Sequence, residues 1–413
     1  MKKVVLLGAG KSSIYIIDYL AELSASKSFE LFVADLSKQN LLDRCSGKNC
    51  TQVVLPDTDF SHIDGLVQGS ILVVSMLPAS LHPTVAKSCV AHGSHLVTPS
   101  YISDAMQSLD KEAKEKGLIF LNEMGLDPGI DHMSIMKTLD EWRAKGAKIN
   151  GLKSHCGGLV APQSDNNSWH YKISWNPRNV VLAGAGDGYI QYRADGNLVQ
   201  LRYADLFSHT SAIESEKGEK YESYPNRDSL KYESLYDLKE SATLYRGTLR
   251  VDPFCKGWNL LVKAGCTSIE KPFPILKKED VSDKMLANML DELGVFSVKP
   301  SPKMAVDVLQ NLIETAWKMQ PTDADRVVMI HEFEIVHEDK KIVLISSLTL
   351  DGKDALYTAM AQTVGLPIAF AVELILEDKI EQRGVLWPID KEIYMPVLAK
   401  LEEAGVCFKE TIL

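Results

Sequence analysis

KVVLLGAGKSS, Lys3 to Ser13, decides the fold: a short apolar run, Lys3 to Leu7, passes straight into Gly8-Ala9-Gly10 and then into a helical pattern, Lys11 to Leu23. A strand that ends in GxG and opens a helix lets a pyrophosphate approach bare backbone while the helix N-terminus holds its charge. Ser13 stands where a third glycine is usual. The next strand pattern, Phe29 to Ala34, ends in Asp35, an acid placed to accept both hydrogen bonds of an adenosine ribose diol. The expected dinucleotide contacts are Gly8, Gly10, Lys11, Ser12, Ser13 and Asp35, with Ser75, Leu77 and Pro78 skirting the cofactor from the end of a fourth strand. A plain turn is the competing explanation for Pro78. Gly10-Lys11-Ser12 imitates the end of a phosphate-binding P-loop, but that motif needs a glycine where Val5 stands, inside the strand. Asp35 repels a 2′-phosphate, so the expected cofactor is NAD(P) with NAD(H) favoured; Lys38 argues the other way.

Outward from this start, short β-branched runs alternate with amphipathic stretches as far as residue 125. Strands are expected at Gln52 to Leu55, Ile71 to Ser75, His95 to Thr98 and Ile119 to Asn122, and helices at Pro83 to Ala91 and Ser103 to Lys116. This predicts an α/β fold, a doubly wound parallel sheet over residues 1–126, completed by apolar helices at Asp354 to Gln362 and Pro367 to Ile380 within 354–413. Residues 127–353 change period. A helix at Pro128 to Ala144 is followed by alternation at Ile149 to His155, Tyr171 to Trp175 and Ile190 to Leu201, the last broken by the hairpin signal Asp195-Gly196. A second hairpin is expected around Glu338-Asp339. The second domain is therefore α+β with a mostly antiparallel sheet and a small helical insertion at about 278–319.

The 413 residues carry 45 basic and 55 acidic side chains, a net charge of −10, which disfavours nucleic acid or an anionic membrane as partner. Seven cysteines without a CxxC pair suit a reducing, cytoplasmic setting and no metal site. The apolar run after Lys2 and Lys3 stops at Gly8, and Val364 to Leu376 is short and contains Glu373, so neither a signal peptide nor a membrane span is expected.

The most informative stretch for function is LNEMGLDPGIDHM, Leu121 to Met133, directly behind the last strand pattern of the first sheet. Asp127 is a candidate for proton transfer, but Asp127-Pro128 also reads as a helix N-cap and first helical position. His132 reads as structural. Further on come Ser154-His155-Cys156-Gly157-Gly158-Leu159, Tyr171-Lys172-Ile173-Ser174-Trp175, Tyr224-Pro225-Asn226-Arg227-Asp228-Ser229 and Tyr245-Arg246-Gly247-Thr248. At these blocks, with Thr98-x-Ser100-Tyr101 and Thr363-Val364-Gly365-Leu366-Pro367, the chain resembles saccharopine reductases, the glutamate-forming saccharopine dehydrogenases of lysine metabolism. The resemblance covers nearly the whole chain. It implies a nicotinamide-dependent oxidoreductase interconverting saccharopine with glutamate and 2-aminoadipate 6-semialdehyde through an imine, a Rossmann domain beside a substrate domain, and a homodimer.

Local chemistry suits a tricarboxylate. Arg227 and Arg246 offer planar forks for carboxylates, Lys172 is a weaker clamp, and Asn122 lies at the sheet edge. Tyr101, Asp127 and Cys156 are the candidate catalytic side chains; a small buried residue is the competing reading of Cys156. Val160, Gln163 and Trp169-His170 depart from the family pattern beside this pocket. Carboxynorspermidine dehydrogenase, another reductive condensation, is thus an alternative. So are a semialdehyde dehydrogenase using Cys156 as nucleophile and a silent dinucleotide-binding regulator.

Overall fold

The computed structural model describes residues 2–57 and 59–413, which divide into two compact units, 1–140 with 360–407 and 141–359 with 408–413. The divisions fall inside two helices rather than at 126 and 353.

In the first unit, six strands, β1 (Lys2–Leu7), β2 (Phe29–Asp35), β3 (Thr51–Val54), β4 (Leu72–Ser75), β5 (His95–Val97) and β6 (Ile119–Leu121), run parallel in the order β6-β5-β4-β1-β2-β3. A seventh, Gly384–Leu386, adds beyond β6 and had no legible pattern in the chain. Val4, Val5, Leu6 and Leu7 are all fully buried, as expected of a central strand covered on both faces. Helix α1 (Ile14–Lys27) starts three residues later than its pattern suggested, because Gly10 to Ser13 are spent on a turn in which Ser13 N and Oγ both donate to Gly10 O. The expected Ser103 to Lys116 helix is two short ones, Asp104–Gln107 and Asp110–Glu115.

Two apolar C-terminal helices were expected and one is found, Ala359–Leu376, with Pro367 inside it. Burial of Ala361, Ile368, Ala369, Ala371 and Val372, each fully covered, overrides the propensity of proline to break it. Residues 354–357 stay out of the helix because Asp354 Oδ1 accepts from Leu356 N and Tyr357 N, a local turn. Among the described residues this is the helix long and apolar enough to cross a membrane, and 83% of it is buried inside the protein.

The second unit is built on one sheet. Its strands are β7 (Lys148–Val160), β8 (Tyr189–Ala194), β9 (Asn197–Arg202), β10 (Ser211–Glu214), β11 (Lys220–Pro225), β12 (Thr243–Arg250), β13 (Asp325–His337) and β14 (Lys340–Asp351). The path β10-β11-β12-β7-β13-β14 ends on the strand Lys409–Ile412, so the extreme C-terminus belongs here and not to the first unit. All pairings are antiparallel except β12 with β7. Both hairpin signals hold: Asp195 and Gly196, and Glu338 and Asp339, have positive φ. Tyr171 to Trp175 is not a strand. Tyr171 and Ile173 enter an aromatic core with Trp169, Phe254, Trp258 and Trp317, Lys172 and Ser174 between them are buried as well, and Ile173 bridges to Lys318. The helical insertion appears as Lys284–Glu292 and Ala305–Ala316.

Candidate active site

At the carboxyl edge of the parallel sheet, directly after central strand β1, Gly8 has φ +100°, and a Cβ there would lie 3.0 Å from Met76 O, so only glycine lets the segment after β4 close on the turn. Asp35 holds the same turn from the other side. Its Oδ2 accepts from Ala9 N at 2.7 Å, and its Oδ1 from Ser37 N at 2.7 Å and Asn40 Nδ2 at 3.2 Å. Gly10 has nothing within 4 Å of its Cβ position, and the first turn of α1 carries neither a side-chain cap nor an acid. Open space in front of an uncapped helix start fits the pyrophosphate of a dinucleotide. Lys11 is exposed and Ser12 half-buried beside it. Ser75 turns inward to His82 Nδ1 at 2.9 Å, while Leu77 is half-buried and Pro78 exposed.

At the same carboxyl edge, beyond β5 and β6, Tyr101 Oη donates to Asp127 Oδ1 at 3.1 Å. The N-cap reading of Asp127 is corrected: the helix begins at Ile130, the Asp127–Pro128 peptide is cis, and Gly129, with φ +146°, intervenes. Asp131 Oδ1 accepts from Gly129 N at 2.6 Å. Two buried groups unremarked in the chain brace this corner. Glu123 accepts from Ile102 N at 3.0 Å and meets His132 Nε2 at 2.8 Å, which gives His132 its structural role. His82 spans Ser75 and Ser100, the latter at 2.7 Å from Nε2, and burial lowers its pKa to about 4, so it stays neutral in the working range. Asn122 is buried, with Nδ2 donating to Phe120 O at 2.8 Å and Oδ1 lacking a protein donor.

In the second unit the ladder sets Tyr224, Thr248, Cys156 and Met329 in one row across β11, β12, β7 and β13. Directly paired residues share a face, so Arg246 and Ser154, two positions away, lie on that face too. Arg246 is buried with its guanidinium 4.4 Å from the Tyr232 ring, and Asn226 N donates to Arg246 O, which holds the loop of exposed Arg227 beside it. His155 points to the opposite face, where Nδ1 meets Ser223 Oγ at 2.8 Å; alternation therefore prevents it from serving as a base for Cys156. Lys172 is committed elsewhere: Nζ contacts Asp323 Oδ2 at 2.6 Å, both side chains being buried or nearly so. No group of three metal-ligating side chains occurs among the described residues.

Residues 4–121 match the saccharopine dehydrogenase NADP binding domain, and residues 125–406 match the saccharopine dehydrogenase C-terminal domain. The chain belongs to the saccharopine dehydrogenase family. Among members of that family it is 32% identical over 452 residues to the saccharopine dehydrogenase [NADP(+), L-glutamate-forming] of Pyricularia oryzae, covering 100% of this chain and 99% of the relative. It is 32% identical to the mitochondrial alpha-aminoadipic semialdehyde synthase of Rattus norvegicus, but spans only 47% of that protein's length. The solved apo saccharopine dehydrogenase (L-Glu forming) of Saccharomyces cerevisiae matches with a TM-score of 0.86 at 32% identity, covering 100% of both chains. The parallel-sheet unit is thus the family's dinucleotide-binding domain.

Proposed function

We propose that this saccharopine dehydrogenase family member oxidises saccharopine to an imine that water hydrolyses to L-glutamate and 2-aminoadipate 6-semialdehyde, and catalyses the reverse condensation. The geometric observation that carries this reading is the Tyr101–Asp127 hydrogen bond, an acid–base pair at the end of a dinucleotide-binding sheet. The bound nicotinamide supplies the hydride acceptor or donor. Asp127 takes a proton from the substrate nitrogen or the attacking water, and Tyr101 orients the carboxylate. Arg246 and Arg227 hold substrate carboxylates by forked hydrogen bonds. Cys156 packs in the row between Thr248 and Met329 and needs no covalent step.

For the dinucleotide we infer NAD(H) over NADP(H), although the fungal relative's name specifies NADP(+). Support comes from the Asp35 carboxylate at the end of β2 and from exposed Leu36 directly after it, neither of which suits a 2′-phosphate. A homodimer in the cytoplasm completes the reading, checked by sedimentation and fractionation. The functional test is purified protein with saccharopine and NAD⁺ or NADP⁺, following reduced nicotinamide and glutamate together. Equal amounts of both support the assignment. Activity on carboxynorspermidine but not on saccharopine would transfer it to that reductive condensation.

A further inference from the structure

At the β3 end of the parallel sheet two free thiols meet. Cys45, the last residue of helix α2 (Lys38–Cys45), is buried, while half-buried Cys50 directly precedes β3. The turn between them folds back on itself: Lys48 N donates to Cys45 O at 3.1 Å, and Cys50 N to Lys48 O at 2.9 Å. Asn49 fastens the turn to α1 through Ser24, its Nδ2 donating to Ser24 Oγ at 2.9 Å. The side chains come together here, with the Cys45 thiol hydrogen-bonded to the Cys50 sulfur. That bond, helped by the Lys48 ammonium, holds the Cys50 thiol below its ordinary pKa against partial burial, and it raises Cys45. Lys48 is kept beside the pair by Asp18 of α1. By contrast, burial raises the thiols of Cys89, Cys255 and Cys266, the usual state of a packed, inert cysteine.

A thiol inclined to ionise, touching a second thiol, is the arrangement that thiol–disulfide exchange requires: one sulfur to attack and one to resolve. The surroundings give the resulting bond a use. β3 is an edge strand with none of its four residues buried, and α2 buries only Leu41 and Cys45. A helix of eight residues with so little apolar cover is marginal. Yet Ser37, its N-cap, and Asn40 in its first turn hold Asp35 at the dinucleotide turn. We propose that Cys45 and Cys50 are an oxidative modification site for small disulfides of the glutathione class, and that the protein disulfide clasps α2 to β3. The Cys50 thiolate attacks one sulfur of glutathione disulfide, forming a mixed disulfide as the oxidant's S–S bond breaks and one glutathione leaves as thiolate. Cys45 then gives its proton to water and attacks Cys50 Sγ, expelling the second glutathione. Two protein thiols are oxidised, one small disulfide is reduced to two thiols, and excess thiol reverses both steps. The turn has room to adjust, since Ser46, Gly47 and Asn49 are exposed and nothing lies within 4 Å of the Gly47 Cβ position. The site is independent of the substrate proposed above.

The test incubates the purified full chain with glutathione disulfide, blocks remaining thiols with iodoacetamide and digests with trypsin in the absence of reductant. Trypsin cuts after Arg44 and Lys48, which puts Cys45 and Cys50 in separate peptides. Oxidation should leave those peptides joined, and dithiothreitol should part them. Cys45→Ala should trap glutathione on Cys50, whereas Cys50→Ala should leave Cys45 unmodified. In reduced wild type, Cys50 should take up iodoacetamide several-fold faster than exposed Cys407 near neutral pH. The oxidised protein should have a higher Tm and an unweakened dinucleotide Kd, because the new bond closes a short loop around groups already in contact. Separate peptides after oxidation overturn the proposal, as does glutathione carried by Cys407 in preference to Cys50. A joined pair with a lower Tm or weaker dinucleotide binding overturns the clasp. The wild-type digest decides the matter even if Cys45→Ala, at a buried position, does not fold.

Discussion

Ala9 N donates to Asp35 Oδ2 at 2.7 Å, so the acid at the end of β2 holds the glycine turn in place before any ribose arrives. Asp35→Ala removes three accepted hydrogen bonds at once, and the expected outcome is a rise in KM for NAD⁺ of tenfold or more, with the NAD⁺ to NADP⁺ ratio narrowing. Steady-state kinetics with both cofactors decide it. A wild-type preference for NADP⁺ of tenfold, about 1.4 kcal/mol, would defeat the specificity argument while leaving the turn-holding role intact.

Asp127→Asn should lower kcat by about 10²- to 10⁴-fold, the usual contribution of a positioned acid or base, with dinucleotide affinity retained. Tyr101→Phe should cost less, because it removes the orienting donor and not the carboxylate. In the double variant the losses should be less than additive, since the two groups act as one pair. Full additivity would show that they work separately.

His82 has a folded pKa of about 4 against an ordinary value of 6.5, through burial. Between those values the unfolded chain binds a proton that the folded chain refuses, so stability is fully present above about pH 6.5 and declines as pH falls towards 4. The loss is on the order of 3 kcal/mol at the bottom of that window. His82→Gln should flatten the dependence of Tm on pH between 4 and 6.5. An unchanged slope would assign the acid sensitivity to other groups, among them His155, which burial holds at about 3.

Lys172 and Asp323 form a buried pair, and breaking it from one side leaves an uncompensated charge. Lys172→Met should destabilise the protein by about 3 to 5 kcal/mol in urea unfolding, and Lys172→Met with Asp323→Leu should recover most of that loss. The KM for saccharopine in the double variant should stay near wild type. A large rise there would return Lys172 to the substrate clamp.

The dinucleotide-binding half was legible because its signals are local. A run of apolar residues, two glycines and an acid one strand later specify a strand, a turn and a helix with little help from elsewhere. The hairpins at Asp195-Gly196 and Glu338-Asp339 were legible for the same reason: positive φ is a property of the turn residues themselves. Where apolar content was high on all sides, periodicity misled. Tyr171 to Trp175 alternates like a strand, but Tyr171 and Ile173 enter an aromatic cluster assembled from distant segments of the chain.

Which charged groups hold the fold, and which stay available to a ligand, was decided only in three dimensions. Lys172 and Arg250 look alike in the chain, each a cation flanked by apolar or aromatic residues. Folding brings Asp323 across 151 residues to neutralise the first and brings only tyrosines, cysteines and a phenylalanine to the second. His82 likewise becomes a link between Ser75 and Ser100 because β4 and β5 pair side by side. Local spacing determines backbone conformation, since that depends on neighbours in the chain. The charge state and availability of a side chain depend on what burial removes and what long-range packing supplies, and neither is written in its neighbours.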